Sequence, residues 1–275
     1  MMSNSSDVLP YAVVIAAALA LFTPGMYAPG LGFLMFAVGI NLRPEAFKKV
    51  FMSPKVSCVS GAQLSNYATF LLHPEQAPLS IVLTALSTAA GVFMTPVLAL
   101  ILLGARIPVD ARGMALSITQ IVLVPVLAGL MCSTYFPAFV TRAKPFLTLA
   151  SLLDTCACVG ASLASNSDTA RSSLGAAVLV PVAVLHIAAY YLGYRLARAT
   201  VAAENVPLAR CISLESGMQS SLLGLLLASR FFHDPLVSLP CGISTIFMTL
   251  SGFGLVMWWK RKGTSASQST TPAAW

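Results

Sequence analysis

Long charge-free apolar runs alternate with short charged stretches along the chain, and most of the runs are long enough to cross a bilayer. A crossing helix needs about 20 apolar residues, occasionally about 17. Residues 8–42 carry no charge but are too many for one helix, and Thr23-Pro24-Gly25 divides them into spans near 9–23 and 28–42. A weaker segment covers 58–72. Strong spans follow near 79–103, 113–135, 146–164, 173–194, 208–229 and 236–259. Lys260-Arg261-Lys262 then opens a Ser/Thr-rich tail over 260–275, expected to be disordered. The pattern predicts an all-α polytopic membrane protein with about nine membrane segments and one membrane domain over 1–259.

Basic residues test this segmentation, because Lys and Arg accumulate on the cytosol-like side of a membrane protein. If all nine segments cross, eight Lys/Arg fall on each side. If 58–72 does not change sides, the distribution becomes twelve to four. The four are Arg106, Arg112, Arg171 and Arg230. That asymmetry is the normal one, so either 58–72 is re-entrant or a crossing is missing beside it. Both termini are then expected on the basic side.

Composition agrees. Of 275 residues, 57% are hydrophobic and 9% charged, against roughly 25% charged in soluble proteins. Mean hydropathy is +0.83. This excludes a cytosolic enzyme and a disordered scaffold. The net charge of +7 comes without a basic patch interleaved with aromatics, so no nucleic-acid partner is expected. The six cysteines lie in or beside apolar runs, with no CxxC pair and no zinc-type spacing; they are expected to pack at helix interfaces.

Two polar clusters interrupt apolar segments, Gly61–Thr69 and Ser213–Ser221. A helix broken at mid-membrane exposes backbone groups that are tolerated only beside a lined cavity. The clusters also correspond. Gly61-x-Gln63-x-Ser65 matches Gly217-x-Gln219-x-Ser221, and Ser87-Thr88 matches Ser244-Thr245 at an offset one residue longer. Paired interrupted helices in two halves point to a transporter binding site.

Glu215 is the sharpest single residue. A mid-membrane carboxylate is costly unless paired, protonated or bound to a cation, and no Lys or Arg lies within four residues. The alternative is an interfacial Glu reaching Arg210. Asp154 could line a path, but an interhelical hydrogen bond is the favoured reading. His186 is expected to be a hydrogen-bonded packing residue rather than a proton relay. His73 and His233 are expected in solvated loops, and Trp258-Trp259 before the basic triad should anchor at the interface. A Ser hydrolase is disfavoured, because no nucleophile motif accompanies His186.

The clusters, with Tyr27–Leu42, Val59–Asn66, Ile107–Ala111 and Glu215–Ser221, resemble the bile acid:sodium symporter family. Within it, the likeness is to the plastid sodium/metabolite cotransporters. The resemblance implies an inverted repeat with two crossed discontinuous helices, here 58–72 and 208–229. It divides the domain into panel helices (about 9–42 and 113–164) and core helices (about 58–103 and 173–259). It implies symport of a small organic anion, such as a 2-oxo acid, with two sodium ions. One ion would use Ser65, Asn66, Ser80, Thr84 and Glu215. The other would use Glu215, Ser216, Met218 and Gln219, partly through backbone carbonyls. Gln63 and Ser220 would meet the substrate. A hard cation wants several oxygens, and a carboxylate offsets its charge. A proton-coupled or uncoupled carrier is the alternative.

The chain departs from the family in three ways. The linker from Asn66 to Ser80 is one residue longer. Ser220 stands where the family often has Asn. The resemblance places a third helix, about 30 or more residues that would supply a Gln to the second sodium site, between Ser57 and Cys58, where this chain has none and the charge count also asks for a change; a transport-impaired deleted form is therefore a further alternative. The resemblance implies a plastid envelope, although no transit peptide is visible: no Arg precedes Arg43 and the first expected span begins near residue 9.

Overall fold

The structure is a computed structural model that describes residues 27–42, 61–104, 110–138, 140–143, 173–232 and 234–268, with short stretches between 146 and 157. The expected span 9–23, most of 146–164, the basic loop 43–57 with its junction, and His233 lie outside the described residues. All described elements are helical. They are α1 (Tyr27–Asn41), α2 (Gln63–Leu72), α3 (Ala77–Leu103), α4 (Ala111–Ile118), α5 (Val124–Tyr135), α6 (Ser173–Thr200), α7 (Val206–Gly217), α8 (Ser221–Phe231) and α9 (Leu239–Gln268). Five stretches are long and apolar enough to cross a membrane: Pro74–Leu102, Ala111–Tyr135, Gly175–Thr200, Val206–Phe231 and Leu239–Lys262. Their outer faces carry Phe93, Leu102, Val180 and Ile187, all more than half exposed, as lipid-facing side chains should be.

Local chemistry explains the irregularities. Between α4 and α5 the chain widens into a π-helical turn at Thr119–Leu123. Pro125 follows it, with no N–H to donate to the preceding turn, and a wider turn accommodates that loss. Helix α1 packs on α5 at a pair of glycines: a Cβ on Gly39 would overlap the Val126 carbonyl, and one on Gly129 the Phe36 carbonyl. Small residues at a crossing let two membrane helices approach closely. Helices α2 and α6–α9 pack mainly among themselves, and α3 packs both on this group and on α4 and α1.

The helix lengths set depth. Helix α2 has 10 residues, α7 has 12 and α8 has 11. At 1.5 Å per residue each covers about half of a ~30 Å hydrocarbon core. At one end of the molecule the last turn of α2 meets the first turns of α7 and the end of α9. There Arg210 Nη1 donates to His73 Nε2 at 3.4 Å, and its guanidinium lies over the Trp259 ring at 5.3 Å. At the other end Gly113 approaches the Phe231 ring. So α2 starts in the middle and leaves by the end that bears the basic triad, while α7 enters there and α8 continues to the opposite end.

One expectation is corrected. His73 is not a solvated loop residue; it is partly buried between Arg210 and Glu75, whose Oε1 lies 3.3 Å from Nδ1. Helix α9 continues past the basic triad to Gln268. Lys262 sits 4.2 Å from the Trp258 ring one turn back. Residues 269–275 lie outside the described residues.

Candidate functional site

The break between α7 and α8 has a visible cause. In an unbroken helix the Gly217 carbonyl would accept from the Ser221 N–H. Here it accepts from His186 Nδ1 at 2.7 Å, while the Ser221 N–H turns to the Gln219 carbonyl at 2.8 Å. Tyr190 fills the space where a Cβ on residue 217 would stand, so glycine is required at the close approach. The other polar cluster begins similarly. Ala62 is extended (φ −117°, ψ 172°), the Gly61 N–H donates to Ser87 Oγ at 3.4 Å, and α2 starts at Gln63 without a side-chain cap.

Glu215, in the last turn of α7, is fully buried and faces α2 and α3. Its Oε1 accepts from Ser65 Oγ at 2.7 Å and from Ser80 Oγ. Its Oε2 lies 3.1 Å from Thr84 Oγ1. Asn66 Oδ1 faces the same two hydroxyls, Ser80 at 2.7 Å and Thr84 at 3.1 Å. Ser65 Oγ also approaches the Ala62 carbonyl at 2.5 Å. Behind the carboxylate lies Gly61, where a Cβ would overlap Oε2. Arg210 is engaged at the membrane end with His73 and Trp259, so it does not neutralise Glu215.

Proton arithmetic makes the cluster informative. Three hydroxyl protons serve six close O···O pairs. With the Asn66 oxygen turned inward, three of those pairs have no hydrogen between them. Among the described residues no cationic side chain stands beside this buried carboxylate, so its ionised form carries an uncompensated charge. One added cation relieves both conditions.

Beside the cluster, a small cleft of about 20 Å³ opens between α1 and the two breaks. Leu31, Leu34 and Met35 form its α1 wall; Ala62 and Leu64 of α2 and Gln219, Ser220, Ser221 and Leu222 of the second break form the other, with Met248. None of these carries a charge. Helix α8, like α2, starts without a side-chain cap. Two uncapped helix starts thus border one cleft.

Comparison with known proteins shows what kind of protein this is. The model of the sodium bile acid symporter family matches residues 56–173. Over 95% of its length the chain is 42% identical to the probable sodium/metabolite cotransporter BASS6, chloroplastic, of Arabidopsis thaliana, covering 76% of that protein. It is 41% identical, over 95% of its length and 78% of the relative, to the probable sodium/metabolite cotransporter BASS5, chloroplastic, of Oryza sativa subsp. japonica. The chain belongs to the sodium bile acid symporter family. Membership makes it a sodium-coupled transporter rather than an enzyme. The alignment to the Arabidopsis relative spans 313 positions, whereas 95% of 275 residues is about 261, so about 50 aligned positions have no residue in this chain.

Within the symporter site the ten residues singled out from sequence divide. Ser65, Asn66, Ser80, Thr84 and Glu215 come together around one carboxylate. Ser216, Met218 and Gln219 do not join that ring through their side chains. Ser216 Oγ donates back to the Ile212 carbonyl at 2.8 Å, and Gln219 Nε2 reaches the Ser216 carbonyl at 3.5 Å. Met218 is buried in an apolar cluster with Tyr190 and Met248. Ser220 borders the cleft, and Gln63 is the first residue of α2. Asp154 is helical and half-buried. His186 is a fully buried, hydrogen-bonded residue, as its sequence context suggested. Sequence reasoning missed Gly61 and Ser87 as supports of the carboxylate and of the first break. The repeat, which pairs Gly61 with Gly217 and Ser87 with Ser244, was the available signal.

Proposed function

We propose that this sodium-coupled transporter carries a small organic anion with a carboxylate, such as a 2-oxo acid, through the cleft beside the breaks. The plastid envelope is the proposed membrane, on the printed names of the relatives. The coupling ion is held by Glu215, Ser65, Asn66, Ser80 and Thr84. The observation that carries this reading is the surplus of oxygen acceptors over protons around a buried, unpaired carboxylate. Five side-chain oxygen donors from three helices suit a hard monovalent cation. A second ion would use Glu215 with Ser216, Met218 and Gln219, through the carbonyls freed by the break. The uncapped starts of α2 and α8 would supply N–H donors to the carboxylate, with Gln63 and Ser220 nearby.

Uptake of labelled pyruvate into proteoliposomes under an inward sodium gradient tests the reading. Stimulation by sodium over potassium, lost in Glu215→Gln, is the expected result. Equal uptake with either ion would replace sodium coupling with an uncoupled or proton-coupled carrier. The shortfall of about 50 aligned positions supports a second reading, a transport-impaired form that keeps the ion site. Its signature is sodium binding without uptake, with uptake restored when the segment missing after Ser57 is supplied from a relative.

A further inference from the structure

The oxygens around Glu215 use one side of the broken α7, and the other side carries a base that the ion site does not use. His186 of α6 is fully buried. Its Nδ1 lies 2.7 Å from the Gly217 carbonyl. A carbonyl only accepts, so Nδ1 carries a hydrogen. Its Nε2 lies 2.7 Å from Ser244 Oγ of α9, which lies 2.6 Å from Ser221 Oγ of α8. Ser221 borders the cleft. A continuous hydrogen-bonded chain therefore joins a buried imidazole to the cleft wall.

The polarity of that chain is dictated by one proton. With Nε2 bare, Ser244 must donate to it and Ser221 must donate to Ser244. Ser221 then offers the cleft only lone pairs. With Nε2 protonated, the imidazolium donates to Ser244, Ser244 donates to Ser221, and the Ser221 hydrogen is free to point outward. The competing acceptor for it is the Met248 sulfur at 3.7 Å, a weak one. We propose that His186, acting through Ser244 and Ser221, is a specificity-determining positioning residue that switches Ser221 between acceptor and donor toward the transported anion.

The surroundings leave the imidazole to this chain. Helix α7 turns Glu215 away, toward Ser65, Ser80 and Thr84. Helix α9 contributes Ser244 and the Phe247 ring, 6.1 Å from the imidazole. On α6 itself the Tyr190 hydroxyl donates to the Met248 carbonyl at 3.0 Å. Among the described residues no charged side chain hydrogen-bonds to His186. A carboxylate in the cleft prefers the donor state of Ser221, so anion binding and His186 protonation favour each other. The link is reciprocal by thermodynamic necessity. It rests on reading the cleft as the anion path, whereas the tautomer does not.

The test is nitrogen NMR of the purified full chain, labelled at its three histidines, with His186→Gln assigning the signal. At about pH 7, where a histidine can adopt either charge state, the expected form is hydrogen on Nδ1 and a bare Nε2. At about pH 6.5, pyruvate with sodium should raise the doubly protonated fraction about threefold or more. Ser221→Ala should keep the tautomer and lose that response. A bare Nδ1 overturns the proposal, as does a response that survives in Ser221→Ala. Pyruvate that raises Tm without changing His186 overturns it while leaving the transport reading intact. If pyruvate does not bind, the proposed substrate class fails instead. The relay is then upheld by a change in the Nε2 signal in Ser221→Ala and overturned by an unmoved one.

Discussion

The two sides of the break at Gly217 are built from the same materials and balance differently. On the His186 side, three protons meet three acceptors: Nδ1–H to Gly217, Ser244 to Nε2, and Ser221 to Ser244. Nothing further is needed to satisfy that network. On the Glu215 side, three hydroxyl protons face six O···O pairs and a buried negative charge. The first network is closed by its own protons, and the second is short of them. One break therefore borders two networks, and the residues on each side decide how that side balances.

Breaking the acceptor surplus should have the largest effect. Glu215→Gln removes the charge and adds two N–H donors where protons are short, so saturable sodium binding should vanish in a folded protein. Titration of Tm with sodium against choline checks this; the variant should show no sodium-dependent rise. Gly61→Ala comes next, because its Cβ would overlap the carboxylate oxygen. Overpacking of this kind costs about 1–3 kcal/mol, which should appear both as a lower Tm and as weaker sodium binding. Asn66→Ala and Ser80→Ala each remove one neutral ligand among several. Each should weaken sodium by about 1 kcal/mol, roughly fivefold in Kd by equilibrium binding. Ser216→Ala sharpens the contrast, since its hydroxyl serves only the Ile212 carbonyl. A sodium affinity changed by less than about 0.5 kcal/mol is expected there. A loss as large as that for Asn66→Ala would instead place the Ser216 hydroxyl, and not only its carbonyl, at an ion.

Much of this was legible in the chain, for physical reasons. Charge-free runs mark helices because a bilayer cannot solvate charges, and α3 at Ala77–Leu103 lies within two residues of the run 79–103. The second break was readable because Gly217, Gln219 and Ser220 have no place in a lipid-facing helix. The ring around Glu215 was accessible only through family resemblance. No spacing rule brings Ser80 and Thr84 of α3 to a carboxylate more than 130 residues away. His73 was misread because its partner, Arg210, is distant in sequence.

The most direct test is equilibrium binding of radioactive sodium to the purified chain, which needs no transport. The account predicts saturable binding, displaced by unlabelled sodium but not by potassium, that is absent from Glu215→Gln and retained, though weaker, in Asn66→Ala. Equal saturable binding to wild type and Glu215→Gln would contradict it.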